Sequence, residues 1–114
     1  TGLVSVVCAG TSRKASKAAS FNPDMVAIEP PELIGTGIPV SKARPEIVEN
    51  TVKLVRKRSS TLNILCGAGI TEGEDVAAAI RLGTQGVLLA SGVVKAKDWR
   101  RVLLDLVEGA KKLT

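Results

Sequence analysis

The chain has 114 residues, of which 45% are hydrophobic and 24% charged, and its formal net charge is +5 at pH 7. This length and balance suit one small globular domain and exclude disordered and low-complexity classes. No apolar stretch approaches the ~20 residues that span a bilayer, and no leader-like segment opens the chain, so we expect a cytoplasmic protein without membrane contact. The two cysteines lack metal-binding spacing, and we expect neither a metal nor a cofactor.

The chain contains no histidine, one Phe and one Trp. By itself, this chain therefore cannot use imidazole for acid–base chemistry or as a metal ligand. The basic residues are scattered, and Phe21 and Trp99 cannot form a platform on which bases stack, so we expect no nucleic-acid partner. The excess positive charge suits an anionic small molecule or an acidic partner chain.

Four short apolar runs predict strands that are buried on both faces of a parallel sheet. They are rich in Val, Ile and Leu and lack the polar alternation of a half-exposed strand. The runs are residues 3–8, 25–28, 62–66 and 86–90.

Helical periodicity fills the intervals between these runs. Residues 12–20 are a weak helix candidate, and a stronger helix begins at Pro45, a position that tolerates proline. Thr71 and Glu74 have the spacing of a capping box at the start of the next helix, which we expect to end at Gly83. The last helix should bury one apolar face, made of Trp99, Val102, Leu103, Leu106, Val107 and Ala110.

Strands that alternate with helices predict an α/β fold with a parallel sheet and right-handed crossovers. An open doubly wound sheet and part of a (β/α)₈ barrel both fit the pattern. Four βα units in 114 residues amount to about half of the ~250 residues of a full barrel. We expect one half-barrel domain over residues 1–114. Another polypeptide or a second copy should cover its two apolar edges, because open edges aggregate.

Ligands bind beyond the carboxyl ends of the strands in both architectures. Two neighbouring segments there are small and rich in glycine, the 67–69 loop and the 90–92 loop. Small residues let backbone N–H groups approach an anion closely, and a following helix N-terminus adds a favourable partial charge. We expect a phosphate at these loops because barrel phosphate sites recur after the last two strands, although short turns also favour glycine.

Glu29 comes directly after the apolar run 25–28, where a carboxylate has little structural use. A carboxylate at the carboxyl end of a buried strand is well placed to accept a proton from a bound substrate. Glu29 is therefore a candidate general base, and a helix cap or an ion pair with a neighbouring lysine remains the structural alternative.

The segment after Glu29 is predicted to be a lid that closes over the site and excludes water. Proline fixes the backbone at its start, two glycines loosen its end, and an apolar tip lies between them. An ordinary long loop is the alternative. The predicted lid, residues 30–37, consists of Pro30, Pro31, Glu32, Leu33, Ile34, Gly35, Thr36 and Gly37.

Residues 27–42, AIEPPELIGTGIPVSK, resemble the catalytic strand and lid of triosephosphate isomerase in its archaeal form. Residues 66–70 and 86–98 are similar to the phosphate loops of that family, and the resemblance covers strands five to eight, the C-terminal half of the family's barrel. It implies that Glu29 moves a proton through an enediolate as dihydroxyacetone phosphate and glyceraldehyde 3-phosphate interconvert. It also implies phosphate contacts from Ile34, Gly35, Gly69, Ala90 and Ser91.

The same resemblance implies that half of the active site is missing, since the family's lysine, asparagine and histidine lie in the other half. Proton abstraction beside a carbonyl needs an electrophile as well as a base. We therefore expect an inactive chain until an N-terminal half-barrel chain adds the Lys and His, and a higher oligomer of completed barrels. The alternative is a non-catalytic half-barrel that pairs with itself and binds phosphate compounds.

Overall fold

In the computed structural model, which describes residues 1–112, four strands form one parallel sheet. The strands are β1 (Val6–Ala9), β2 (Met25–Ile28), β3 (Asn63–Gly67) and β4 (Gly86–Leu88). Their order across the sheet is β1-β2-β3-β4, so each strand pairs with its neighbours in sequence. A doubly wound sheet would reverse its strand order, whereas a barrel wall runs on in sequence. The fold is therefore half of a (β/α)₈ barrel, as predicted.

Helices follow every strand. They are α1 (Ser12–Ala19), α2 (Val40–Ala43), α3 (Pro45–Arg58), α4 (Gly73–Arg81), α5 (Ser91–Val94) and α6 (Trp99–Lys111). The helices α1, α3, α4 and α6 are the four that the periodicity predicts. The short helices α2 and α5, and a 3₁₀ turn at Pro31–Leu33, were not predicted. None of the helices within residues 1–112 is both long and apolar enough to cross a membrane.

The weak helix α1 is stabilised by its contacts with α3 and the sheet. Thr11 caps it, since its Oγ1 accepts from the Lys14 N–H at 3.2 Å. Ser12 Oγ lies 2.9 Å from Thr51 Oγ1 on α3. Ala15 and Ala19 are buried in a core cluster with apolar side chains of β2, α3 and β3. Small side chains let α1 approach this core closely, and packing compensates for its modest propensity.

The prediction that the first strand is buried on both faces is wrong for residues 1–112. Leu3 and Val4 precede the strand and are 82% and 68% exposed, and Val6 and Val7 on β1 are also exposed. The physical reason is position: β1 pairs with β2 on one side and has no neighbour on the other among the described residues.

The inward face predicted for α6 is only partly covered. Leu106 is buried, but Trp99, Leu103 and Val107 are 59%, 49% and 48% exposed. One side of α6 packs closely on α4, where a β-carbon at Gly109 would collide with the carbonyl of Gly73. The rest of the apolar face has no covering element within residues 1–112, which leaves it open to a partner.

The capping box at α4 lies one residue later than predicted. The helix begins at Gly73 after the N-cap Glu72, and Asp75, not Glu74, reaches back to accept from the Glu72 N–H at 3.2 Å. Asp75 is buried, whereas Glu74 points to solvent and pairs with Arg81 at 2.8 Å. The predicted end is confirmed, since the residue after the C-cap is Gly83 with a φ of +107°.

Candidate active site

The predicted base and all five predicted phosphate-binding residues line one pocket at the carboxyl edge of the sheet. Its volume is about 360 Å³, and it lies between the lid, the 67–69 loop and the 90–92 loop. Hydrophobic side chains form much of the remaining wall. No lysine or arginine of residues 1–112 lines it, and no cluster of three or more potential metal ligands occurs in that part of the chain. The lining residues that the sequence predicted are Glu29, Ile34, Gly35, Gly69, Ala90 and Ser91.

Glu29 extends β2 by one residue and turns its carboxylate over the end of β3. Its N–H donates to the carbonyl of Ala9 at 2.8 Å, so the backbone is fixed by the sheet ladder. A β-carbon at Gly67 would lie only 2.9 Å from Glu29 Oε2, which places the carboxylate directly above that glycine. The half-buried carboxylate has no hydrogen-bond or ion-pair partner within residues 1–112. The cap or ion pair that would give it a structural role is therefore not formed there.

Cys8 on β1 lies close enough to Glu29 to be affected by its charge. Cys8 is exposed, but partial desolvation of its thiol raises the pKa, and the negative charge of Glu29 raises it further. No sequence pattern selects Cys8, because its nearness to Glu29 depends on strand pairing, which sets Cys8 beside Ala27.

The lid begins at a rigid, buried point and exposes its apolar tip. Pro30 is fully buried, and Pro31 packs against Gly10, where a β-carbon would lie 3.2 Å from Pro31 Cδ. Thr36 folds the tip back on itself, since its Oγ1 donates to the Leu33 carbonyl at 2.7 Å. Ile34 remains 54% exposed. An apolar tip in water at the mouth of a pocket is typical of a segment that closes over a ligand.

The end of the lid rests on the 67–69 loop. Val40, just after the lid, is fully buried and its N–H donates to the Ala68 carbonyl at 3.3 Å. Gly69 approaches the backbone so closely that a β-carbon would collide with the Ile38 carbonyl. Ala68 itself has a φ of +75°, which costs an L-residue on the order of 1 kcal/mol. Such strain at the wall of a pocket is characteristic of functional loops.

Two glycines that line the pocket, Gly35 and Gly69, keep backbone donors available. Neither the Gly35 nor the Gly69 N–H donates a hydrogen bond within residues 1–112. Both glycines have positive φ values, +73° and +74°. The 90–92 loop packs against the other side of the pocket, where a β-carbon at Gly92 would collide with the Ile70 carbonyl. The arrangement can hold an anion through backbone donors beside a carboxylate that has no partner.

Beyond the lid, α2 is attached to the start of α4 by charged residues that the sequence did not single out. Lys42 Nζ lies 2.8 Å from Asp75 Oδ1 and 3.2 Å from Glu72 Oε1. Hydrogen bonds to these two carboxylates raise the pKa of Lys42. Helix α2 has only four residues, too few for a periodic signal, so nothing in the sequence placed Lys42 beside α4.

Known proteins resemble this chain over almost its whole length. The family model described as triosephosphate isomerase matches residues 1–110. The triosephosphate isomerase of Archaeoglobus fulgidus is 58% identical over 106 residues, covering 93% of this chain and 48% of the relative. That of Methanothermus fervidus is 55% identical over 105 residues, covering 92% and 47%.

The chain belongs to the triosephosphate isomerase family. Its match to a third archaeal member, the triosephosphate isomerase of Methanopyrus kandleri, is 56% identical over 108 residues and covers 95% of this chain and 48% of the relative. The chain thus spans about half the length of the curated triosephosphate isomerases that it matches.

Solved structures agree with the half-barrel fold of this triosephosphate isomerase family member. A mandelate oxidase variant with 2-hydroxy-phenylacetamide superposes with a TM-score of 0.71 at 20% identity, over 99% of this chain and 34% of that structure. A flavocytochrome b2 variant with sulfite bound gives 0.65 at 22% identity, over 98% and 28%. At such identity the likeness concerns the fold alone.

Proposed function

We propose that residues 1–114 form one C-terminal half-barrel domain of a triosephosphate isomerase, active when an N-terminal half-barrel chain joins it. The substrate would be dihydroxyacetone phosphate or glyceraldehyde 3-phosphate, in the cytoplasm, and completed barrels would assemble into a higher oligomer. The observation that carries this proposal is the convergence of Glu29, the lid and the two glycine-rich loops on one pocket.

In the proposed reaction Glu29 takes a proton from the carbon next to the substrate carbonyl and leaves an enediolate. Returning that proton to the neighbouring carbon gives the isomer, provided that the hydroxyl proton of the first carbon moves to the former carbonyl oxygen. With both proton shifts, atoms and charge balance without a cofactor. A carboxylate without a hydrogen-bond partner keeps its lone pairs available for this step. The substrate phosphate would accept from the backbone N–H groups of Gly35 and Gly69, with Ile34, Ala90 and Ser91 around it. Closure of the lid would exclude water from the enediolate.

Two groups that this reaction needs are not in the chain. Nothing cationic among residues 1–112 lines the pocket, and the chain has no histidine to polarise the substrate carbonyl. An N-terminal half-barrel with a Lys and a His at the carboxyl ends of its strands would complete the site. The uncovered edge of β1 and the exposed face of α6 are the surfaces on which such a partner would close the barrel.

The test is reconstitution with the N-terminal half of the Archaeoglobus fulgidus relative. We expect isomerase activity from the mixture and none from either half alone. Glu29→Gln should lower kcat by at least ~100-fold, since general base catalysis contributes about that much or more. Glu49→Gln is the matched control, because Glu49 is an exposed carboxylate on α3, outside both the pocket and the lid. Full activity of the Glu29→Gln mixture would show that another group is the base.

A second candidate function rests on the same uncovered surfaces. The sheet has two open edges, β1 and β4, and two copies of the chain could pair each edge of one with the opposite edge of the other. The product would be a non-catalytic barrel that binds phosphate compounds at two pockets. Native mass spectrometry distinguishes the candidates: a stable dimer of the 11.9 kDa chain that ignores the N-terminal half favours self-pairing.

A further inference from the structure

The carboxylate of Asp75 joins the turn between β3 and α4 to helix α2, which follows the lid. Its Oδ2 accepts from the Thr71 N–H at 3.0 Å, the Glu72 N–H at 3.2 Å and the Thr71 hydroxyl at 3.3 Å. These donors fix the turn between β3 and α4, which continues the 67–69 loop. Its Oδ1 faces α2, where Lys42 Nζ lies 2.8 Å away. One side chain therefore contacts both the turn and the helix that follows the lid.

Burial of Asp75 makes its ion pair with Lys42 stronger than an ordinary surface ion pair. The Asp75 side chain is 2% exposed, and no hydrogen bond within residues 1–112 reaches Oδ1 apart from its ion pair with Lys42. A buried carboxylate oxygen without a donor is disfavoured, so the pairing of Oδ1 with the Lys42 ammonium restricts where that ammonium lies. The contact between Lys42 and Glu72 is exposed on both sides and contributes little. Of the two ion pairs, the one with Asp75 therefore contributes more to holding α2 against α4.

Further contacts place the end of the lid on the same turn. The Val40 N–H donates to the Ala68 carbonyl at 3.3 Å, and Ser41 Oγ donates to the Asp75 carbonyl at 3.4 Å. The lid begins, in contrast, at the buried Pro30 shortly after β2, without an ion pair to this turn. Any shift of α2 would carry the end of the lid away from Gly69, which touches the carbonyl of Ile38.

We propose that the Lys42–Asp75 ion pair is a positioning device that holds the end of the lid in register with the phosphate-binding 67–69 loop. Neither residue lines the pocket, so both act through the lid and the loop. The effect of this ion pair on catalysis rests on the proposed function. The link between the lid and the loop is a property of this chain alone and can be measured without activity.

The catalytic arm of the test uses the chain reconstituted with its N-terminal half. Lys42→Met should lower kcat/KM by about 10- to 100-fold, because small displacements of groups around the substrate cost about that much. Lys42→Arg keeps the charge and should restore most of the loss. Arg81→Met, which removes an exposed ion pair between Glu74 and the last residue of α4, is the control and should be without effect.

The second arm measures hydrogen exchange on the chain alone, resolved into peptides over residues 30–43, 66–75 and 44–58. Lys42→Met should accelerate exchange in the first two peptides together and leave the third unchanged. If Lys42→Met folds poorly, Asp75→Asn replaces it in this experiment. It retains an acceptor for Thr71 and should accelerate exchange in the same two peptides. Equal acceleration in all three peptides, or acceleration in the lid peptide alone, would overturn the link. If reconstitution fails even with the unmodified chain, the proposed function fails and this arm still decides the inference.

Discussion

Glycine at position 67 leaves the space in which the Glu29 carboxylate lies. A β-carbon there would be 2.9 Å from Oε2 and 3.2 Å from Cγ of Glu29, so the Glu29 side chain would have to move. Position 67 does not have a positive φ, and alanine is therefore compatible with the backbone. Because a base displaced by about 1 Å loses on the order of 100-fold in rate, we expect Gly67→Ala to lower kcat of the reconstituted enzyme by about that factor.

The matched control for this substitution is Gly86→Ala on β4. A β-carbon at Gly86 would meet only the flexible end of Leu65, at 3.3 Å. Both variants add one methyl group to the sheet, and thermal melting should show that both remain folded. If the two variants have the same kcat, Gly67 does not act through Glu29.

Cys8 gives an independent measure of the charge on Glu29. The thiol is exposed to reagent, and its pKa is raised by partial desolvation and then by the negative charge of Glu29. Because the thiolate is the reactive form, Glu29→Gln should lower the pKa of Cys8 and speed its alkylation by iodoacetamide at pH 8. Cys66 is the internal control, since burial raises its pKa to about 12 and it should remain unmodified in the folded chain. Identical Cys8 rates with and without the Glu29 charge would contradict the geometry of this pocket.

At the scale of single residues, the sequence predicted correctly which residues lie at the carboxyl edge of the sheet, because the order of the strands alone decides this. Glu29 and Gly69 both follow apolar runs, and parallel strands bring such positions to one edge. Cys8 and Gly67 were missed as neighbours of Glu29, because their nearness depends on the pairing of three strands and on the direction of one side chain.

At the scale of helices and loops, prediction succeeded where one residue type has one local role. Pro45 begins α3 because proline has a fixed φ and no N–H to place inside a helix. Gly83 follows α4 because glycine adopts the positive φ that ends a helix. At the start of α4, two adjacent acidic residues compete for one role, and burial beside Lys42 selects Asp75 over Glu74. That burial depends on α2, which lies more than thirty residues earlier and has no periodicity of its own.

At the scale of the whole molecule, the strands follow one another in the order of a barrel wall, but the apolar surfaces at the two ends of the sheet are not buried. Its first strand and its last helix expose apolar side chains, while the centre of the sheet, at Val26, Ala27 and Ile64, is fully buried. The sequence predicted these elements, yet it did not show which of their faces stay exposed, since exposure depends on strand order and on how the helices pack.

The exposed face of α6 therefore predicts where the partner packs. Leu103 lies on this face and is 49% exposed, so Leu103→Asp should leave the chain folded while burying a charge in any interface formed there. We expect the affinity for the N-terminal half to fall at least ~10-fold, which titration calorimetry measures. Asn50→Asp on the exposed side of α3 adds the same charge away from both open edges and should bind like the unmodified chain. Equal affinities would place the partner elsewhere, whereas dissociation of a homodimer by Leu103→Asp would favour self-pairing.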